Sequence, residues 1–149
     1  MNYQHIDGPM SAVASALLAK RREDNASLPG LGLDAELIRC DEENRTLELA
    51  FVTKPWMSNP MGMVHGGVVA ILLDNGMGVA CHSLYKRPNP TITMNINYLR
   101  PVPLNATVMV RARVTSFGRT VSHTSAELYL ADQPDRILAT ATGVYSTKQ

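Results

Sequence analysis

The 149-residue chain has only two cysteines, Cys40 and Cys81, and no CxxC spacing. That excludes a disulfide scaffold and a cysteine-built zinc site, and free thiols in a reducing compartment are expected. A charge imbalance is missing too: 14 basic against 13 acidic residues leave a formal net charge of +1. No broad electrostatic footprint for nucleic acid exists, so an anionic ligand has to be met by a local cluster. There is no GxSxG, which removes the usual nucleophile elbow of a Ser-His-Asp hydrolase. There is no HExxH, which leaves a metal site from His65, Asp74, Cys81 and His82 without supporting spacing. The opening MNYQHIDGPM holds no Lys or Arg ahead of an apolar stretch, and the SAVASALLAKRR that follows is short and amphipathic. Neither fits a secretory leader or a membrane span, and a cytoplasmic location is expected.

What the chain does carry is regular alternation, in a length suited to one domain with a single core. Pro9 to Arg22 has helical spacing, with Ser11 placed to cap its start and Lys20, Arg21 and Arg22 favourable at its end. DNASLPGLG then breaks the pattern. LDAELIRC and TLELAFV alternate apolar with polar around the turn-rich DEENR and predict a strand pair. Beyond the loop KRPNP, TITMNINYLR, TVMVRARVTSF, TVSHTSAELYLA and ILATATGVYST predict four more strands, separated by PVPLN, GR and DQPDR. No internal repeat or low-complexity tract is present. The layout is α+β, a mostly antiparallel sheet with helix on one face, in a single domain over 1–149 whose first 30 residues form a helix and linker.

Between the two strand groups lies NPMGMVHGGVVAILLDNGMGVACHSLY, apolar or glycine at almost every place from Gly66 to Cys81 except for Asp74. Asp74-Asn75-Gly76 spells a hairpin turn, with VVAILL and MGVACHSLY as flanking strands. Against that, Gly66 to about Ser83 is long enough for a buried helix. Ala70, Leu72, Leu73, Met77 and Ala80 favour one, whereas Val68, Val69, Ile71, Gly76 and Gly78 do not. The local pattern leaves both open.

The spaced set Asn59, Gly62, His65-Gly66-Gly67 and Asp74, nine residues after the histidine, resembles the signature of hotdog-fold acyl-CoA thioesterases. The branch is the one containing the phenylacetate-pathway and 4-hydroxybenzoyl-CoA thioesterases. TITMNINYLRP, FGRT and ILATATGVY are similar to that family's later strands, so the resemblance covers roughly Leu31 to Tyr145. It implies a curved antiparallel sheet of five to six strands around a central helix that begins after HGG, and so favours the helix over the DNG turn. It implies hydrolysis of an acyl-CoA thioester to carboxylic acid and coenzyme A, with CoA as part of the substrate rather than a cofactor. No metal, nucleic-acid or membrane partner belongs to that reading. The alternative is a non-catalytic acyl-CoA-binding or sensing protein of the same fold. A hotdog dehydratase fits the arrangement of histidine and acid less well.

Roles follow for particular residues. If Gly66 opens a helix, the free N–H groups there and the positive end of the helix dipole suit a developing oxyanion. Gly66 and Gly67 either let a substrate approach the backbone closely or simply permit a tight strand-to-helix turn. Asp74 would be general base for a water, or a nucleophile forming a mixed anhydride. Burial among Ile71, Leu72 and Met77 would tend to raise its pKa. By resemblance, Asn59 orients the water or the thioester oxygen, and His65 hydrogen-bonds near the thioester while holding the Asn59 loop. Thr91 falls where the family carries a Ser or Thr facing the acid. Lys86, Arg87, Arg100 and Arg119 are candidate partners for the CoA phosphates, and Trp56, Met57, Met61 and Met63 candidate lining of an acyl pocket. The sequence departs from common family patterns at Trp56, Pro60, Asn75 and Gly76, positions that bear on acyl preference.

Asp74 is eight residues beyond Gly66, roughly 12 Å along one helix axis at about 1.5 Å per residue. One subunit scarcely brings both to a single carbonyl. Two central helices packed antiparallel would, which predicts a homodimer with two equivalent interface sites. The resemblance extends this to a dimer of dimers, a homotetramer.

Overall fold

The computed structural model describes residues 8–25 and 33–148. The alternating stretches become six strands: β1 Glu36–Asp41, β2 Thr46–Val52, β3 Thr91–Tyr98, β4 Thr107–Phe117, β5 Val121–Leu130 and β6 Gln133–Ser146. They form one antiparallel sheet in the order β1-β2-β4-β5-β6-β3, with β1 and β3 at its edges. Among the described residues two α-helices complete the fold, α1 Met10–Asn25 and α2 Gly66–Tyr85, with a 3-10 turn at Pro55–Met57. This is the hotdog architecture. One side of each central strand faces α2 and is apolar: Leu47, Leu49 and Phe51 on β2, Val108, Val110, Ala112 and Val114 on β4, Ala126 and Leu128 on β5.

The DNG triplet is not a turn; α2 runs straight through it. A methyl group on Gly76 would come within 2.4 Å of Val110 Cγ1 on β4, so this glycine sets how closely the helix seats on the sheet. Asn75 bonds back along the helix to the Ile71 carbonyl at 2.9 Å and accepts from Arg21 of α1 at 2.8 Å. The β-branched Val69 and the fully buried Leu72, Leu73, Met77 and Val79 fill the sheet's curve. Each such side chain contributes about 1.5–3 kcal/mol by leaving water, more than the few tenths a β-branched residue loses in helix propensity. By length and composition α2 would span a bilayer; here its apolar surface is used against the sheet. It stops at Lys86, whose left-handed conformation (φ 57°) lets its N–H reach the His82 carbonyl before Pro88 and Pro90.

Several boundaries differ from the sequence expectation. The first helix begins at Met10 and runs to Asn25, and Ser11 lies inside its first turn. Its cap is the Glu42 carboxylate from the β1–β2 turn, accepting from the Met10 N–H at 3.2 Å, a partner 32 residues away that local pattern does not reveal. β1 starts at Glu36, not Leu33. β6 starts at Gln133, inside the expected DQPDR separator, because the turn needs only Ala131 and Asp132. Pro134 falls where the ladder slips, between the pairs Leu130–Gln133 and Tyr129–Ile137, so its missing N–H costs no bond. Most of the expected linker, 26–32, lies outside the described residues.

The Gly76–Val110 contact predicts the effect of Gly76→Ala. Helix propensity alone would favour alanine by about 1 kcal/mol, but the added methyl forces α2 off β4, and a net loss of about 1–3 kcal/mol is expected. Urea denaturation measures it; a variant as stable as the parent would show that the helix has slack at this contact.

Candidate active site

The segment ahead of α2 is folded by its own polar groups. Asn59 Oδ1 accepts from the N–H groups of Met61 at 2.9 Å and Met63 at 3.1 Å, and its backbone N–H donates to the Met63 carbonyl at 2.7 Å. Gly62 closes this turn at φ 76°, a conformation that side chains disfavour. The carboxamide oxygen of Asn59 is thereby committed, and its NH2 group is the edge left to act. Ser58 bridges Val64, and the His65 N–H donates to the Met57 carbonyl at 2.7 Å.

The imidazole of His65 does not hold that loop. Its Nδ1 accepts from the Gly67 N–H at 2.9 Å and caps α2. A neutral imidazole accepting at Nδ1 carries its proton on Nε2, which leaves that nitrogen as a donor. A methyl on Gly67 would sit 3.1 Å from Nδ1, so this glycine makes room for the capping ring. Val68 and Val69 donate to the His65 carbonyl. Among the first N–H groups of α2, that of Gly66 alone has no acceptor among the described residues. It opens beside a cavity of about 470 Å³ whose lining includes Asn59, Met61, Met63, Val69, Tyr98 and Arg100. Tyr98 lies against Gly66 and donates its hydroxyl to the Gly66 carbonyl at 3.0 Å. Met57 is buried in the core and Trp56 is exposed outside the lining, so only Met61 and Met63 of the four expected residues meet this cavity.

Asp74 stands two turns along α2, half-buried. Leu72 and Met77 are buried as expected, but Ile71 is 41% exposed, so the face of α2 carrying Ile71, Asp74 and Gly78 is turned away from the packed core. The Thr91 hydroxyl donates to Asp74 Oδ1 at 2.8 Å, placing Thr91 beside the acid. The same Oδ1 accepts from the Tyr145 hydroxyl at 2.7 Å. The sequence marks Tyr145 only as part of a strand. Its signal is register: β3 and β6 pair Thr91 with Tyr145, so both hydroxyls leave the sheet at one place. Burial, then the neighbouring carboxylate, pushes the Tyr145 phenol well above its ordinary value. Around this group is a second cavity of about 350 Å³, with Arg21, Asn75, His82 and Asn89 also in its wall.

Within one chain, then, Asn59 and Gly66 share one cavity and Asp74 and Thr91 another. The cations are divided as well. Arg100 lines the Gly66 cavity, with Nη1 donating to the Ile137 carbonyl at 2.5 Å. Lys86, Arg87 and Arg119 lie at the far end of α2 and in the β4–β5 turn. There Arg87 donates to the Thr147 carbonyl at 2.6 Å and sits 5.8 Å over the Tyr85 ring, while Arg119 is exposed.

Residues 61–137 match the family model described as the thioesterase superfamily. A Halobacterium salinarum protein named for esterase activity is 34% identical over 113 residues, 72% of each chain. Human acyl-coenzyme A thioesterase 13 is 34% identical over 73 residues, 48% of this chain and 51% of that one. The chain spans about a third to a half of the length of the acyl-CoA thioesterases it matches. Among solved structures, a phenylacetic acid degradation-related protein of Ralstonia eutropha JMP134 superposes with a TM-score of 0.74 at 26% identity, over 90% of this chain and 98% of that one.

His82, 4% exposed in the wall of the Asp74 cavity, supplies a test of this region. Burial, then the Arg21 charge, lowers its pKa from 6.5 to about 4. The folded chain binds this proton less readily than the unfolded one. The resulting stability is complete above pH 6.5 and is lost as the pH falls toward 4, by roughly 3 kcal/mol in all. Denaturation midpoints between pH 7.5 and 4 should fall less steeply in His82→Gln than in the parent; equal slopes would place the titrating group elsewhere.

Proposed function

The chain belongs to the thioesterase superfamily, and we propose that it hydrolyses acyl-CoA thioesters to carboxylic acid and coenzyme A at two equivalent sites completed by a homodimer. The observation that carries this reading is the division of one helix. Its first N–H has no partner among the described residues and lies beside one cavity, and its hydrogen-bonded carboxylate stands about 12 Å farther on beside another. Antiparallel pairing of two copies of α2 joins Gly66 of each to Asp74 of the other. The uncovered face of α2 and the exposed edge strand β3, with Ile92 and Tyr98 each 56% exposed, are the surfaces such pairing would cover.

In that arrangement the Gly66 N–H, at the positive end of the helix dipole, stabilises the thioester oxygen as it becomes an oxyanion. The Asn59 NH2 orients the same oxygen or the water. Asp74, held by Thr91, either takes a proton from a water that attacks the carbonyl carbon, or attacks that carbon itself to form an anhydride that water then cleaves. In the first route the proton that Asp74 has taken passes to the sulfur as the carbon–sulfur bond breaks; in the second the thiolate leaves as the anhydride forms and is protonated by the water that later cleaves it. Met61 and Met63 line the acyl side, Met being able to adapt to several shapes. Arg100, Lys86, Arg87 and Arg119 are offered to the CoA phosphates, and His65 presents its Nε2–H beside the thioester. Two such dimers pair further, and the two unpaired thiols suit a reducing, cytoplasmic setting.

A complementation experiment tests the shared site. Gly66→Pro removes the N–H at a helical position where proline is tolerated, and His65 at φ −61°, ψ 136° already has the backbone that precedes a proline. Gly66→Pro and Asp74→Asn are each expected to reduce thiol release by about 100–1,000-fold. Mixed in equal amounts with subunit exchange, they should recover about a quarter of the parent rate, since half of the dimers are mixed and one site in each is whole. A mixture that stays inactive, or an active species that sediments as a monomer, refutes the shared site. A parent that releases no thiol, yet melts higher with acyl-CoA, has a binding or sensing role instead.

A further inference from the structure

The cavity beside Asp74 contains a second hydroxyl that the reaction outlined above does not use. We propose that Tyr145 is a positioning residue: together with Thr91 it occupies Asp74 Oδ1 and leaves Oδ2 as the atom that reacts. This rests on the reading of Asp74 as the reacting carboxylate.

A carboxylate oxygen offers about two lone-pair sites. Both at Oδ1 are filled, by Thr91 at 2.8 Å and Tyr145 at 2.7 Å, and Oδ2 has no partner among the described residues. The two donors are not equivalent. Thr91 is exposed on an edge strand, where water competes for its hydroxyl, whereas Tyr145 is 1% exposed. The Tyr145 hydroxyl also lies 3.2 Å from the Asp74 carbonyl, which fixes it against the helix backbone as well as the side chain.

The seat of the ring is built for this reach. Gly143, two residues before Tyr145 on its own strand, makes room for the ring, for a methyl there would come within 2.9 Å of both the ring and the Thr124 hydroxyl. Gly78, one turn beyond Asp74, borders the ring from the helix, where a methyl would make ordinary contact with it at 3.7 Å. Burial and the adjacent carboxylate keep the phenol protonated, so it remains a donor throughout the working pH range. Hydrogen bonds to a carboxylate favour its charged form, the form that either route of hydrolysis requires.

The test compares kcat and KM for thiol release in the parent, Tyr145→Phe and Asp74→Asn, with sedimentation and melting as controls for folding. Tyr145→Phe should lower kcat about tenfold with KM nearly unchanged, a split that a merely structural role would not produce. A 3-fluorotyrosine placed at 145 keeps both the ring and the donor, so it should retain most of the parent's kcat; this reads the same effect if the phenylalanine variant folds poorly. If Asp74→Asn is inactive while Tyr145→Phe keeps the parent's kcat, Tyr145 is only packing and the proposal is overturned. If Asp74→Asn retains activity, the role given to Asp74 fails first, and that of Tyr145 with it.

Discussion

One helix has to meet two opposed demands, and most of the molecule follows from how it does so. α2 must be apolar enough to fill the hollow of a six-stranded sheet, and it must also carry a carboxylate. The conflict is resolved by facing. Leu72, Leu73, Met77 and Val79 go into the sheet, and Asp74 goes to the side the sheet leaves uncovered. Because Gly76 lets the helix seat within contact of Val110, the wrapped face is packed tightly enough to fix the orientation of the other. Asp74 then needs donors from outside the helix, and it finds them on β3 and β6.

The start of the helix solves a different problem with the same economy. Four N–H groups at a helix start need partners. Two find the His65 carbonyl and one the His65 ring, which can fold back only because Gly67 has no side chain. What is left is a single amide, that of Gly66, next to the carboxamide of Asn59, whose oxygen is already spent on its own loop. The sequence HGG is thus a way of satisfying every donor but one.

All six strands were legible in the sequence because period-two alternation survives wherever one side of a sheet is buried and the other wet. The central helix was not legible from its residues: DNG carries a strong turn signal, and only the resemblance of the spaced motif outweighed it. The physical reason appears in three dimensions, where Gly76 answers to a valine on another strand. Asn59 and Gly66 share one cavity and Asp74 and Thr91 another, a division that the spacing along the helix anticipates, whereas His65 is tied to the Met57 segment through its backbone N–H and its ring caps α2. Tyr145 and the Glu42 cap on α1 went unseen for a common cause. Both act across long stretches of sequence, 71 and 32 residues, and depend on strand register or chain crossing rather than on local pattern.

The first helix has a bearing on how such a protein diversifies. α1 is fastened to the rest at its two ends, by Glu42 at Met10 and by Arg22 at the Ala35 carbonyl, while Arg21 between them reaches Asn75 and borders the Asp74 cavity. The wall it supplies comes from outside the sheet and meets the wrapped helix beside Asp74. A substitution at Arg21 can therefore reshape the space beside Asp74 while the hydroxyls of β3 and β6 that hold the carboxylate stay in place, whereas Met10, Ala14, Leu17 and Leu18 tie the rest of α1 to the core.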